Sequence, residues 1–265
     1  MKLKGKVAVV TGGGRGLGRA YVLHLASLGA DVVINDINLN AAAEYNESLT
    51  ADTVMAEVEA LGCRALGIEA DVADKDAVDG MFEEALGAFG RIDILVNNAG
   101  GALKTPPNNS AATADMDHYQ YIMDLNLTGT ILCCQAASRA MKEQRSGKIV
   151  NVSSQAGLWS GYNGGGMAYK VAKAGIAHYT RALAAELGPY NINVNSIAPG
   201  WILSSRAVAS GRDSEETRTR LLQQIPLGRL GLPEDCAKVV EFLVTDLSDY
   251  VTGQCIPICG GVVAW

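Results

Sequence analysis

Short β-branched apolar runs alternate along this chain with longer Ala- and Leu-rich stretches whose apolar residues recur at helical spacing. The runs predict strands at Lys6 to Val10, Asp31 to Asn35, Arg64 to Glu69, Ile92 to Asn97, Gly147 to Val152, Asn191 to Ile197 and Cys255 to Ile258. The stretches between them predict helices over Leu17 to Leu28, Ala41 to Leu61, Lys75 to Ala88, Tyr119 to Glu143, Ala168 to Leu187 and Pro233 to Leu247. Runs such as Val7-Ala8-Val9-Val10 and Ile94-Leu95-Val96 are apolar at successive positions, as in strands covered by helices on both faces. A half-exposed antiparallel sheet would alternate instead. The expected fold is therefore α/β, with seven parallel strands in one doubly wound sheet built from βαβ units.

No repeat or Pro/Ser-rich linker divides the chain, so a single domain over residues 1–265 is expected. Two stretches break the rhythm, Gly101 to Ala114 and Gly200 to Ser214, and both follow strands at the carboxyl edge of the sheet. Open α/β sheets bind their ligands at that edge, which makes these the candidate substrate loops.

With 48% hydrophobic and 19% charged residues, the chain is too apolar for disorder. No apolar run approaches the roughly 20 residues of a membrane span. Lys2, Lys4 and Lys6 precede only the short apolar run Val7 to Val10, too little for a signal-peptide core, so a cytoplasmic protein with no membrane partner is expected. A net charge of −6 argues against nucleic acid as a partner. The 6 cysteines form no C-x-x-C pair and no metal-ligand spacing with His24, His118 or His178. They read as small buried thiols in a reducing compartment, with no metal site.

The first strand leads into Thr11-Gly12-Gly13-Gly14-Arg15-Gly16-Leu17-Gly18 and then a helix. Glycines here allow a tight turn and close backbone approach, and the free N–H groups of the helix start can hold a pyrophosphate. Asp36 follows the second strand, 18 residues after Gly18. That is near the roughly 20 expected for an acid that accepts both ribose hydroxyls of an adenosine. A carboxylate there also repels a 2′-phosphate, which favours NAD(H) over NADP(H). The bland alternative for Asp36 is a loop acid or helix cap. Arg15 is the opposing signal, since it could reach a 2′-phosphate, but it can equally neutralise pyrophosphate or pair with a surface acid. Asp36 prevails because like charges at close range in a partly buried site cost more than a flexible arginine offsets.

Tyr169 and Lys173 stand at i and i+4 of a predicted helix and so share one face. A free phenol titrates near pH 10, too high for an efficient base, and a neighbouring ammonium that favours the phenolate makes the pair useful for moving a proton to or from an alcohol.

Several motifs now stand in order: Thr11-Gly12-x-x-x-Gly16-x-Gly18, Asp71-Val72, Asn97-Asn98-Ala99-Gly100, Asn126 in Leu125-Asn126-Leu127-Thr128-Gly129, Val152-Ser153-Ser154, Tyr169-x-x-x-Lys173 and Pro199-Gly200. On these the chain resembles the classical short-chain dehydrogenase/reductase family over essentially all of Lys4 to Gly261. The resemblance implies a Rossmann-type sheet, a cofactor half over about 1–150 and a catalytic and substrate half over about 151–265. It implies Tyr169 as general acid/base, Ser154 as hydrogen-bond partner of the substrate oxygen, Lys173 as the cation that lowers the tyrosine pKa and holds the nicotinamide ribose, and Asn126 as anchor of a proton-relaying water. It implies a cofactor site of Gly12, Arg15, Gly16, Leu17, Gly18, Asp36, Asp71, Val72, Asn98, Gly100, Tyr169, Lys173, Gly200 and Ile202. Within it Asp71 and Val72 lie at the adenine, Asn98 beside the adenosine ribose, and Gly200 and Ile202 beside the nicotinamide.

The chain also departs from the family pattern. Ser154 and Tyr169 are 15 residues apart, about two more than usual in the family, and the extra length falls in the glycine-rich Gly161 to Gly166. Ser153 or Ser154 could therefore be the catalytic one, and the Val-Ser-Ser-x-x-Gly alignment favours Ser154. Ile37 to Thr50 is longer than usual, and Cys259-Gly260-Gly261 replaces the common Asp-Gly-Gly. The apolar tail Val262 to Trp265, together with the family's habit of assembly, implies a homotetramer with Trp265 at an interface.

The expected function is an NAD-dependent oxidoreductase that interconverts a secondary alcohol and a ketone. Trp201, Leu203, Val208, Leu158, Trp159 and Tyr162 suggest a pocket for an apolar cyclic or aromatic small molecule, or else merely cover the core beneath a lid. The alternatives are a 3-oxoacyl/3-hydroxyacyl thioester oxidoreductase and a catalytically silent NAD-binding sensor or scaffold. Arg206, Arg212, Arg218 and Arg220 are interleaved with Asp213, Glu215 and Glu216, a balance that reads as a solvated helix and not a phosphate site.

Overall fold

The computed structural model describes residues 1–102, 110–159, 161 and 165–263. In chain order the elements are β1 Val7–Thr11, α1 Gly16–Ser27, β2 Asp31–Asp36, α2 Ala41–Glu44, α3 Val54–Ala60, β3 Ala65–Glu69, α4 Lys75–Phe89 and β4 Ile94–Asn97. There follow α5 Met116–Met123, a π-helical turn Asp124–Thr128, α6 Gly129–Gln144, β5 Gly147–Val152, α7 Gln155–Leu158, α8 Met167–Leu187, β6 Ile192–Pro199, α9 Ser205–Ala209, α10 Glu215–Leu222, α11 Pro233–Val244 and β7 Cys255–Ile258. Tyr162, the centre of the glycine-rich loop and Trp265 lie outside the described residues.

All seven strands are parallel, in the order β3-β2-β1-β4-β5-β6-β7. Alternate residues of the central strands enter two separate cores, which is why those strands are apolar at every position. Ala8, Val10, Val32, Ile34, Ile94, Val96 and Val150 pack under α1, α3 and α11. Val7, Val9, Val33, Leu95, Ile149 and Val194 pack under α4, α6 and α8. The strand order reverses between β1 and β4, so their carboxyl ends diverge and open the crevice in which such sheets bind ligands.

Two expected helices are broken. The single helix over Ala41 to Leu61 is instead α2 and α3, separated by Asn46 in the left-handed region at φ 51°. Thr53 restarts the helix by accepting the Ala56 N–H at 3.1 Å. The cause of the break is Glu57, which is 2% exposed. Its carboxylate binds Arg19 Nε at 2.7 Å and Thr50 N at 2.7 Å, pulling the intervening loop back onto α1. The expected helix over Tyr119 to Glu143 carries the π turn at Asp124–Thr128, because Asn126 Nδ2 donates to the Ile122 carbonyl at 2.9 Å in competition with the backbone ladder.

Candidate active site

The turn after β1 is closed by its neighbours across the crevice. A Cβ placed on Gly18 would lie 1.9 Å from the Gly12 carbonyl oxygen, so only glycine permits this approach of helix start to strand end. Asn98, following β4, donates from Nδ2 to the carbonyls of Thr11 at 3.1 Å and Gly12 at 3.0 Å, and thereby fixes the turn. Asp36, half-buried at the end of β2, accepts the Gly14 N–H at 3.0 Å. Arg15 turns away from it, with its guanidinium 3.9 Å from the Tyr45 ring centroid. Gly16 and Leu17 open α1 at the mouth of the crevice. Asp71 is exposed just past β3, where it accepts the Ala73 N–H at 2.9 Å, and Val72 is buried against Gly129.

Across the crevice, β5 delivers the two serines. Ser153 Oγ donates to the Lys173 carbonyl at 2.7 Å. Ser154 is the N-cap of α7, accepting the Ala156 N–H at 3.2 Å, and its hydroxyl is near enough to the Tyr169 phenol to favour the phenolate. Of the two, Ser154 is thus the one that faces Tyr169. Gly157 makes this possible, since a Cβ there would lie 2.6 Å from the Lys173 carbonyl carbon and hold α7 off α8. Lys173 is 3% exposed, and its Nζ donates to the Val152 carbonyl at 2.8 Å and lies 5.6 Å from the Tyr169 ring centroid. Asn126, fully buried, accepts the Gly101 N–H at 3.0 Å and donates to the Gly101 carbonyl at 3.1 Å. Gly100 and Gly101, at φ 132° and 154°, run between it and the crevice. Gly200 and the buried Ile202 follow β6 on the far side, and Gly200 N donates to the Ile258 carbonyl at 2.9 Å.

The electrostatics differ from the simple picture of a phenol beside an ammonium. Burial pushes the Tyr169 phenol up from its ordinary value, while the nearby Ser154 hydroxyl, Arg206 and Arg212 pull it down. Burial, with help from Arg206, lowers Lys173 to about 7. The charges that act on the phenol therefore include two arginines from the loop after β6. Trp201 and Leu203 are partly buried against Leu221, Ile225 and Leu230, and Trp201 also lines a cavity with Ile202, Ile225 and Ile258.

A family model described as enoyl-(acyl carrier protein) reductase matches residues 12–263. A short-chain type dehydrogenase/reductase from Mycobacterium marinum superimposes with TM-score 0.87 at 33% identity, covering 100% of this chain and 98% of that one. The chain belongs to the short-chain dehydrogenase/reductase family. Among its relatives in that family, cyclohexanol dehydrogenase of Rhodococcus sp. is 47% identical over 265 residues, 99% of this chain and 97% of the relative. A 7α-hydroxysteroid dehydrogenase, solved in complex with NADH and 7-oxo glycochenodeoxycholic acid, gives a TM-score of 0.86 at 32% identity over 98% of this chain and 95% of its own.

The family motifs do not include three groups that the fold brings to the crevice. Glu47, from the loop after α2, accepts the Gly16 N–H at 2.8 Å and the hydroxyl of Ser205. Arg206 Nη2 donates to the Gly100 carbonyl at 3.3 Å, and Arg212 Nη1 to the Ile202 carbonyl at 3.0 Å. Nothing local in sequence marks Glu47, because its place depends on the fold-back imposed by Glu57. The arginines were visible, but their charges were counted together with acids that point elsewhere.

Proposed function

We propose that this protein is an NAD(H)-dependent oxidoreductase that interconverts a secondary alcohol, carried on an apolar cyclic or aromatic small molecule, and the corresponding ketone. The observation that carries this reading is the Tyr169 phenol, with the Ser154 hydroxyl near enough to favour its phenolate and Lys173 Nζ 5.6 Å from its ring centroid, at the mouth of a crevice whose other wall is the glycine turn with Asp36.

The residues fit a dinucleotide. Asp36 sits over the turn with a carboxylate to offer ribose hydroxyls, and it opposes a 2′-phosphate. The Glu47 carboxylate on the Gly16 N–H marks an anion position at the start of α1, suited to a pyrophosphate. When bound, NAD supplies nicotinamide C4 as the acceptor or donor of hydride. In the oxidative direction Tyr169, as phenolate, takes the hydroxyl proton of the substrate while its carbinol C–H bond breaks and the electron pair leaves with the hydrogen. In the reductive direction Tyr169 returns that proton to the carbonyl oxygen. Ser154 supports the charge on that oxygen by hydrogen bonding. Lys173 would hold the nicotinamide ribose when NAD is bound, although burial disfavours its ammonium. Asn126 is a positioning residue, since its side chain locks Gly101 and with it the wall of the crevice.

A second reading, oxidoreduction of a 3-oxoacyl or 3-hydroxyacyl thioester, is favoured by similarity to a 3-oxoacyl-[acyl-carrier-protein] reductase of Synechocystis sp., 40% identical over 263 residues, 98% of each chain. The two are separated by a panel of cyclic secondary alcohols and 3-hydroxyacyl thioesters, followed by nicotinamide absorbance with NAD and NADP side by side. Turnover of cyclohexanol with NAD supports the first reading, and exclusive turnover of the thioester overturns it. We also infer a homotetramer in the cytoplasm. The inference is supported by the family, by 6 free cysteines, and by the lack among the described residues of any helix long and apolar enough to cross a membrane.

A further inference from the structure

The charges of the loop after β6 separate in space in a way that their sum conceals. Glu215 and Glu216 open α10 and are exposed, as are Asp213, Arg218 and Arg220. Arg206 and Arg212 instead turn inward and are half-buried. Of the other half-buried arginines, Arg19 has the carboxylates of Glu47 and Glu57, and Arg15 lies over the Tyr45 ring. Among the described residues Arg206 and Arg212 have none. Each spends one donor on a backbone carbonyl. The groups that favour their charges are phenols, Tyr169 for both and Tyr45 for Arg206, while burial and their mutual repulsion oppose them.

A guanidinium has five N–H donors in a planar fork, and a half-buried cation without an anion is costly unless a ligand completes it. Arg206 lies at the Gly100 carbonyl, beside Asn126 and Lys173, and also feels Arg15 on the glycine turn. Arg212 lies beside Trp201, with its guanidinium 5.4 Å from the indole centroid. The two therefore form a positive wall that runs from the cofactor turn past the proton-transferring phenol to the substrate side.

We propose that Arg212, with Arg206 behind it, is a specificity-determining element that recognises a carboxylate on the substrate, so that the preferred ligand is a cyclic or aromatic secondary alcohol bearing an acidic group. This rests on the alcohol-oxidising reading above and refines it. The other anion within reach of the pair is the cofactor pyrophosphate, and the test separates the two.

The measurement compares kcat/KM for ring-substituted hydroxycyclohexane carboxylates and for their methyl esters, with cyclohexanol as the uncharged reference and NAD as acceptor. The acid-to-ester ratio cancels any change in the proton affinity of Tyr169, which both substrates share. The wild type prefers the acid, and Arg212→Met lowers the ratio by about 10- to 100-fold, the loss of a hydrogen bond between charged groups. Arg212→Lys keeps part of the preference, and the Kd for NAD in Arg212→Met stays within about twofold of wild type. An unchanged ratio in Arg212→Met, or an equal loss for acid and ester with weakened NAD binding, overturns the proposal; the latter assigns the pair to the pyrophosphate. Turnover of cyclohexanol without turnover of any acid overturns this proposal alone. Failure of all three substrate types overturns the alcohol-oxidising reading beneath it.

Discussion

Replacing Asp36 by Asn removes one charge and almost no volume from the cofactor end of the crevice. Asp36 Oδ2 accepts the Gly14 N–H at 3.0 Å, and a Cβ on Gly14 would lie 2.9 Å from the same oxygen, so the carboxylate is fixed against the turn. Among the described residues no cation pairs with it, and Arg15 is engaged on Tyr45. A 2′-phosphate brought to a contact of roughly 5 Å would meet about 3 kcal/mol of repulsion per unit charge at an effective dielectric constant of about 20. A ribose hydroxyl loses about 1 to 2 kcal/mol when its acceptor changes from carboxylate to amide. Asp36→Asn should therefore move the preference for NAD over NADP by about 1000- to 5000-fold, most of it through tighter NADP binding. Titration of both cofactors by the quenching of protein fluorescence measures this directly. The Asn side chain can still accept the Gly14 N–H, so Tm should move by no more than a few degrees. A variant with normal Tm and an unchanged NAD/NADP ratio would refute the placing of the adenosine ribose at Asp36.

Other expectations follow from the same geometry. Glu47→Gln should tighten NAD binding by about tenfold, because the amide holds the Gly16 N–H less strongly against an incoming pyrophosphate; weaker binding in calorimetry would show that Glu47 helps the cofactor. Ser154→Ala should lower kcat by about 100- to 1000-fold. It should also shift the rising limb of alcohol oxidation to higher pH: burial already raises the Tyr169 phenol, the nearby Ser154 hydroxyl lowers it, and oxidation needs the phenolate, so losing that hydroxyl delays the rise. A limb that stays in place or moves to lower pH contradicts this coupling. Asp93, 4% exposed, accepts Lys6 Nζ at 3.0 Å, Val7 N at 3.0 Å and Arg91 Nε at 2.7 Å. Asp93→Ala should cost about 2 to 3 kcal/mol in urea unfolding, chiefly by orphaning the Val7 N–H at the start of β1.

Most of the sheet was legible because each central strand is buried on both faces, and continuous apolar runs such as Val7 to Val10 carry that fact in their composition. Gly147–Val152 and Cys255–Ile258 even appear with the expected ends. The helical interruptions were not legible, because they arise from side chains that reach across the fold. Glu57 folds the chain between α2 and α3 back onto Arg19, and Asn126 competes for the Ile122 carbonyl. Glutamate is a good helix former and asparagine only a mildly poor one, so neither residue type alone marks where its helix breaks. In the site, Tyr169 and Lys173 share a helix face as their spacing suggested, and Ser154, expected from the family resemblance, lies near Tyr169 despite the two additional residues between them. Arg206 and Arg212 escaped because a net charge along a segment discards direction, and the sides on which α9 and the turn after it present them are set by tertiary packing.

The central claim is that Tyr169 moves the proton while the dinucleotide moves the hydride, and the most direct test is Tyr169→Phe assayed beside wild type with cyclohexanol and NAD. Removing the phenolic oxygen should abolish formation of reduced nicotinamide while leaving the Kd for NAD within about threefold, since the glycine turn and Asp36 remain intact. A Phe variant that binds NAD normally and still oxidises cyclohexanol at a rate near wild type would contradict the assignment.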